Sequence, residues 1–166
     1  MRQQRFELLI GSNVFRDTNG VVRLALNGRA RFHLGVLDQG YWPDGIYTAP
    51  DDEAYQRDIR LTKTLGFNGV RKHQKVEDPR YYYWCDRLGL LVWGEMGSCF
   101  EFTDRSMANF AAEWPNVIRA NFNHPSIITW VPFNESWGID GVQKEERPQE
   151  FVGQIVAFTR QIDPTR

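Results

Sequence analysis

The sequence has little sulfur and no excess of charge. Two cysteines, Cys85 and Cys99, stand among 166 residues. They have neither the paired spacing of a zinc site nor the density of a secreted disulfide scaffold, so both read as small buried residues. Lysine and arginine number 20 against 21 aspartates and glutamates, a formal net charge of -1. That balance gives no electrostatic reason for a nucleic acid or an anionic membrane as partner, and neither is expected. No apolar run is long enough to cross a bilayer, and the apolar part of Met1 to Ile10 is too short for a signal peptide. A cytoplasmic address is expected if Met1 is the native start. Low-complexity stretches and short internal repeats are missing as well.

Aromatic residues, by contrast, are plentiful: they make up 14% of the chain and include six tryptophans. Such rings stack on the apolar faces of sugars, but their ordinary use is to fill cores. Trp84, Trp93 and Trp130 are expected in the core, whereas Trp42 and Trp137 lie in segments that read as loops.

The chain then alternates between two periodicities. Strand-like residues run from Phe6 to Ile10 and from Val21 to Leu26, broken by Asn19-Gly20, and Asn27-Gly28 punctuates before Ala30 to Val36. Residues 1–29 therefore read as a β-hairpin preamble or the end of a preceding β-domain, and 30–166 as a series of strand–helix units. Ala49-Pro50-Asp51-Asp52-Glu53 has the cap chemistry and acidic first turn of a helix running to about Leu65. Phe67 to Arg71 reads as a strand, Pro79 to Leu88 as a helix closed by Gly89, and Leu90 to Trp93 as a strand buried on both faces. Thr103 to Asn121 is helical in composition, with a kink or break expected at Pro115. Ile127 to Phe133 makes a fourth strand, and Pro148 to Ile162 a last helix.

Four βα units point to a parallel sheet with right-handed crossovers. A doubly wound nucleotide-binding sheet is disfavoured, because Gly35-Val36-Leu37-Asp38-Gln39-Gly40 lacks the G-x-G-x-x-G spacing. A complete (β/α)8 barrel needs ~250 residues. The fold expected is thus α/β, the first four βα units of a TIM barrel, preceded by a short antiparallel β segment. Its first and last strands would present unpaired edges, and self-association through them is expected.

In such barrels the chemistry sits at the C-terminal ends of the strands. The candidates are Asp38, Arg71, His73, Gln74, Glu95, Asn134 and Glu135, with Trp137 beside them. Asn134-Glu135, at the mouth of an apolar strand, is the sharpest pair. A carboxyl group desolvated at such a mouth holds its proton to higher pH, which suits a general acid. His33 is expected to pack within the first strand, and His124 to order the turn into the fourth.

Asn123-His124-Pro125-Ser126-Ile127-Ile128, then Trp130, then Asn134-Glu135-Ser136-Trp137-Gly138 resembles the acid/base signature of glycoside hydrolase family two. That family includes β-galactosidases, β-glucuronidases and β-mannosidases. The likeness extends from about Leu26 to Arg166. It includes Leu26-Asn27-Gly28-Arg29, Gly66-Phe67-Asn68-Gly69-Val70-Arg71 and Cys85-Asp86-Arg87-Leu88-Gly89-Leu90-Leu91-Val92.

The resemblance implies a retaining hydrolase of β-linked sugars, with Glu135 as acid/base and Asn134 hydrogen-bonded to the sugar 2-hydroxyl. Carbohydrate is the partner it implies. No cofactor is expected. After Arg71 the family usually has a small pair followed by His-Tyr-Pro, where this chain has Lys72-His73-Gln74-Lys75-Val76. Cys99-Phe100-Glu101 lacks the Glu-x-His pattern of the family's metal-binding members, so no active-site metal is expected.

Retention requires two carboxyl groups ~5–5.5 Å apart, and the family's nucleophile follows strand seven, beyond these four units. On this reading the chain is the N-terminal half of the barrel and inactive alone. The alternative reading is a non-catalytic half-barrel that self-associates and binds sugar weakly. A third pairs Glu95 with Glu135 in an inverting or otherwise altered site.

Overall fold

The computed structural model describes residues 15–27 and 29–166. The expected strand from Phe6 to Ile10 lies outside the described residues. Two short antiparallel ladders come first. Phe15–Arg16 (β1) pairs with Val22–Arg23 (β2), and Ala25–Leu26 (β3) with Arg29–Ala30 (β4). Asp17 ties off the first turn, its carboxylate accepting from the backbone N–H groups of Asn19 and Val21.

Four parallel strands follow: Gly35–Asp38 (β5), Gly69–Lys72 (β6), Leu91–Glu95 (β7) and Ile127–Val131 (β8), hydrogen-bonded in the order β5-β6-β7-β8. Helices Asp52–Thr64 (α1), Pro79–Leu88 (α2) and Asp104–Asn121 (α3) connect them, and Glu146–Ile162 (α4) comes last. Spatial order equal to chain order, with no reversal, is the winding of a βα barrel rather than of a doubly wound sheet.

Local chemistry sets the helix starts. The Asp51 side chain accepts from the Ala54 N–H, and that of Asp78 from the Arg80 N–H with Pro79 in the first turn. Thr103 and Ser106 cap α3 reciprocally. Each arrangement satisfies backbone donors that an α-helix leaves without partners. Gly89 closes α2 at φ 73, a left-handed conformation that costs glycine no Cβ clash.

The core lies between the sheet's convex face and the helices. Val70, Val92, Ile127 and Trp130 meet Tyr55 and Ile59 of α1, Tyr81 and Cys85 of α2, and Trp114 and Ile118 of α3. Two indoles anchor α4 to this layer: Trp114 Nε1 donates to Thr159 Oγ1 and Trp130 Nε1 to Asp163 Oδ2, each at 2.8 Å. Gly94 makes room for the second. A Cβ there would stand 3.0 Å from the Trp130 ring. Asp86 holds the turn into β8 by accepting from Ser126 N and by contacting His124 Nδ1 at 2.7 Å.

Several sequence expectations are corrected. The first barrel strand starts at Gly35, not Ala30, because Arg29 and Ala30 pair with β3 instead. Between them, the Asn68 side chain takes over the ladder's hydrogen bonds, accepting from Leu34 N and donating to Phe32 O. Helix α3 runs unbroken through the buried Pro115. Helix α4 starts at Glu146 and carries Pro148 in its first turn, where the missing N–H has no intrahelical partner to lose. Cys85 is buried but Cys99 only half so.

The apolar run Leu91-Val92-Trp93 is buried on one face. Val92 points into the core at 0% exposure, and Trp93 turns to the concave side and keeps 37%. Trp93 is therefore not a core residue. That concave face forms a groove of about 250 Å³ lined by Gly35, Leu37, Gly69, Arg71, Leu91, Trp93 and Ile128, among others. Among the described residues no helix is long and apolar enough to cross a membrane.

Candidate active site

Parallel strands in register deliver their C-terminal residues to one edge of the sheet. Arg71 lies opposite Leu37 on one side and Trp93 on the other, and Glu95 opposite Val131. Period-two alternation sends Arg71 to the concave side, one position before the residue where β6 ends. There it meets Glu95, whose carboxylate is 0% exposed: Arg71 Nε donates to Glu95 Oε2 at 2.5 Å. The same guanidinium donates through Nη2 to Asn134 Oδ1 at 2.9 Å. A guanidinium can only donate, so the amide atom facing it must be the oxygen, and this fixes which way the Asn134 side chain points. Its amide nitrogen donates to no other described group.

The second oxygen of Glu95 is engaged as well. The Gln74 backbone N–H donates to Oε1 at 2.8 Å, and His73 Nδ1 lies 3.1 Å from it. Gln74 reaches onward, its side-chain Oε1 accepting from Ser98 N at 2.6 Å. The loop after β6 is thereby fastened to the loop after β7. Gln74 does this with φ 57, and Glu135 stands at φ 51. For residues bearing a Cβ this left-handed region costs ~1–2 kcal/mol, and such strain gathers at functional sites.

Beyond β8, Asn134 is buried, while Glu135 is exposed. The desolvation expected of its carboxyl is not met, because the residue stands exposed on the turn beyond β8. Trp137 is 53% exposed, and its backbone N–H donates to Asn134 O at 3.1 Å. Gly138, at φ 70, lets this turn press against the loop after β7. A Cβ there would come within 2.6 Å of the Cys99 carbonyl oxygen.

Asp38 goes elsewhere. It pairs in register with Lys72, and both fall on the opposite face of the pleat from Leu37 and Arg71. Asp38 Oδ2 lies 2.6 Å from Lys72 Nζ, which lies 2.6 Å from Glu77 Oε2; Glu77 Oε1 is 3.0 Å from Lys75 Nζ. Lys72, Lys75 and Glu77 are 1%, 2% and 4% exposed. Lys75 also donates to the carbonyl oxygens of Gly40 and Tyr47, strapping down the loop after β5. Two cations and two carboxylates balance, so the cluster offers no free charge to a ligand. Among the described residues no three or more His, Cys, Asp or Glu side chains are grouped to hold a metal.

Residues 48–166 match the family model described as glycosyl hydrolases family 2, TIM barrel domain. The chain belongs to that family.

A putative β-glucuronidase of Formosa agariphila is 31% identical over 130 residues, 74% of this chain and 15% of that protein. A β-galactosidase of Pectobacterium atrosepticum is 31% identical over 136 residues, 76% of this chain and 13% of that protein. The crystal structure of a β-galacturonidase from Eisenbergiella tayi bound to galacturonate superposes with a TM-score of 0.69 at 28% identity, covering 86% of this chain and 26% of its own. The chain thus spans about 15% of the length of the curated relatives it matches.

In this family 2 barrel segment, Arg71, His73, Gln74, Glu95 and Asn134 form one contiguous network, with Glu135 and Trp137 on the turn it supports. Asp38 is separated from that network by its bond to Lys72. Lys72, Lys75, Glu77 and Ser98 escaped the sequence reading. The available signal was two lysines and a glutamate packed between a buried strand and a tyrosine-rich helix.

Proposed function

We propose that this chain carries the acid/base and substrate-orienting part of a retaining β-glycosidase site, with Glu135 as general acid/base and Asn134 as the donor to the sugar 2-hydroxyl. One observation carries the reading. Arg71 holds the Asn134 oxygen, which leaves the amide nitrogen free to donate, one residue before the left-handed Glu135. The substrate class, a β-linked sugar, is supported by relatives named for β-glucuronides, β-galactosides and β-galacturonides.

In the first half of the reaction, protonated Glu135 gives its proton to the glycosidic oxygen as the bond to the anomeric carbon breaks. A carboxylate from beyond these four strands takes that carbon. In the second half the Glu135 carboxylate accepts a proton from the water that releases the sugar. Glu95 is not the nucleophile on this reading, since its side chain is 0% exposed and its oxygens are held by Arg71 and Gln74. The same commitment argues against pairing Glu95 with Glu135 in an inverting site.

The test is a leaving-group series of aryl β-glycosides on the full-length protein. Glu135→Gln is expected to lose ~10²–10⁴-fold on poorly acidic leaving groups. It should lose far less on a dinitrophenyl glycoside, whose departure needs no proton. Full activity of Glu135→Gln across the series refutes the assignment.

A further inference from the structure

We infer that Glu95 is a positioning residue that acts on the substrate through Arg71 and Asn134. This rests on the function proposed above. Glu95 is 1% exposed, and its two oxygens face three nitrogen atoms: Arg71 Nε, the Gln74 backbone N and His73 Nδ1. A carboxylate so buried is shut off from a sugar. It determines where the guanidinium lies.

The guanidinium is rigid and planar, and its donors Nε and Nη2 are divided between Glu95 and Asn134. Fixing one bond therefore fixes the direction of the other. Glu95 sets the plane, the plane sets the Asn134 oxygen, and the Asn134 nitrogen is left free to donate to the sugar.

The socket is itself braced. Gln74 adopts φ 57 while its N–H donates to Glu95, and its side chain holds Ser98 N at 2.6 Å. The loops after β6 and β7 thus close around one buried carboxylate. Arg71 is 31% exposed in its side chain, so without Glu95 it is free to swing toward water and release Asn134.

The experiment is a double-mutant cycle on the full-length protein, with kcat/KM read on an aryl β-glycoside and on its 2-deoxy analogue. Glu95→Gln places an amide N–H₂ where a carboxylate oxygen now meets donors. It and Asn134→Ala are each expected to lose ~10²-fold, the scale of a 1 Å misplacement of a reacting group. Because the two act in series, the double variant should lose no more than the worse single one. Both losses should shrink on the 2-deoxy substrate, and the leaving-group dependence should stay that of the parent.

Additive losses, or an undiminished loss on the 2-deoxy substrate, overturn the proposal. So does Glu95→Ala activity restored by azide, the mark of a reacting carboxylate. If Glu95→Gln does not fold by circular dichroism, Arg71→Lys takes its place. It keeps the charge but loses the fork, and unchanged kinetics there are equally fatal. A fully active Glu135→Gln would remove the acid/base assignment alone, since the Glu95–Asn134 coupling is read independently of which group delivers the proton.

Discussion

Glu77 is the anion on which the buried charge cluster depends, and its replacement gives a sharp test of that packing. Its two oxygens serve two ammonium groups, Lys72 at 2.6 Å and Lys75 at 3.0 Å, and its side chain is 1% exposed. Asp38 serves only Lys72 and keeps 25% exposure. In Glu77→Gln only Lys72 keeps a carboxylate, that of Asp38, and Lys75 retains only the carbonyls of Gly40 and Tyr47 and the Tyr47 ring, 4.2 Å from its Nζ.

Breaking a buried pair on one side costs ~3–5 kcal/mol, because the remaining charge stays desolvated. With a urea slope of ~1–3 kcal/mol/M, the unfolding midpoint should fall by at least ~1 M. Asp38→Asn leaves Lys72 still paired with Glu77 and should cost less than Glu77→Gln. Glu77→Gln combined with Lys75→Met removes the stranded cation and should recover much of the loss. Urea unfolding followed by tryptophan fluorescence reads all of these. The reasoning fails if Glu77→Gln costs less than Asp38→Asn, or if the second substitution deepens the loss.

Two further outcomes are expected. Asp78→Ala should lose ~0.5–2 kcal/mol through the N-cap of α2. The hydrogen bond from Arg80 holds the Asp78 carboxyl below the usual carboxylate range. Its contribution is therefore complete above the unfolded-state value and is lost as the pH falls through the depressed folded-state value. Acid titrations of parent and variant should converge there, and a constant gap across the range would count against the cause. Separately, Leu37 and Trp93, 59% and 37% exposed on the concave face, should drive self-association of the 166-residue polypeptide. Light scattering should show that association, weakened by Trp93→Glu, and a folded monomer at high concentration would contradict it.

The alternation of strands and helices was legible in the sequence because it rests on local chemistry. Asp51, Asp78 and Thr103 cap helices by bonding to residues two or three positions away, and Gly89 stops one by its own backbone freedom. The Asn134-Glu135 pair could be placed at a strand mouth for the same reason: the run before it, from Ile127 to Phe133, is apolar except at Thr129. Neither required knowledge of distant partners.

Tertiary structure alone decided what those side chains meet. Asp38 read as a site residue, yet the β5–β6 register put it on the face of Lys72 rather than of Arg71. Trp93 read as core, yet the pleat turned it to the face that no helix covers while its neighbour Val92 was sealed beneath the helices. Glu95 acquires its partners from residues 21 to 24 positions earlier, and Asn134 is oriented by an arginine 63 positions before it. Charges and hydrogen bonds of that range depend on distances that periodicity does not encode. The sequence by itself determined which residue types arrive at the strand ends; only their packing decided which carboxylate is held and which stands free.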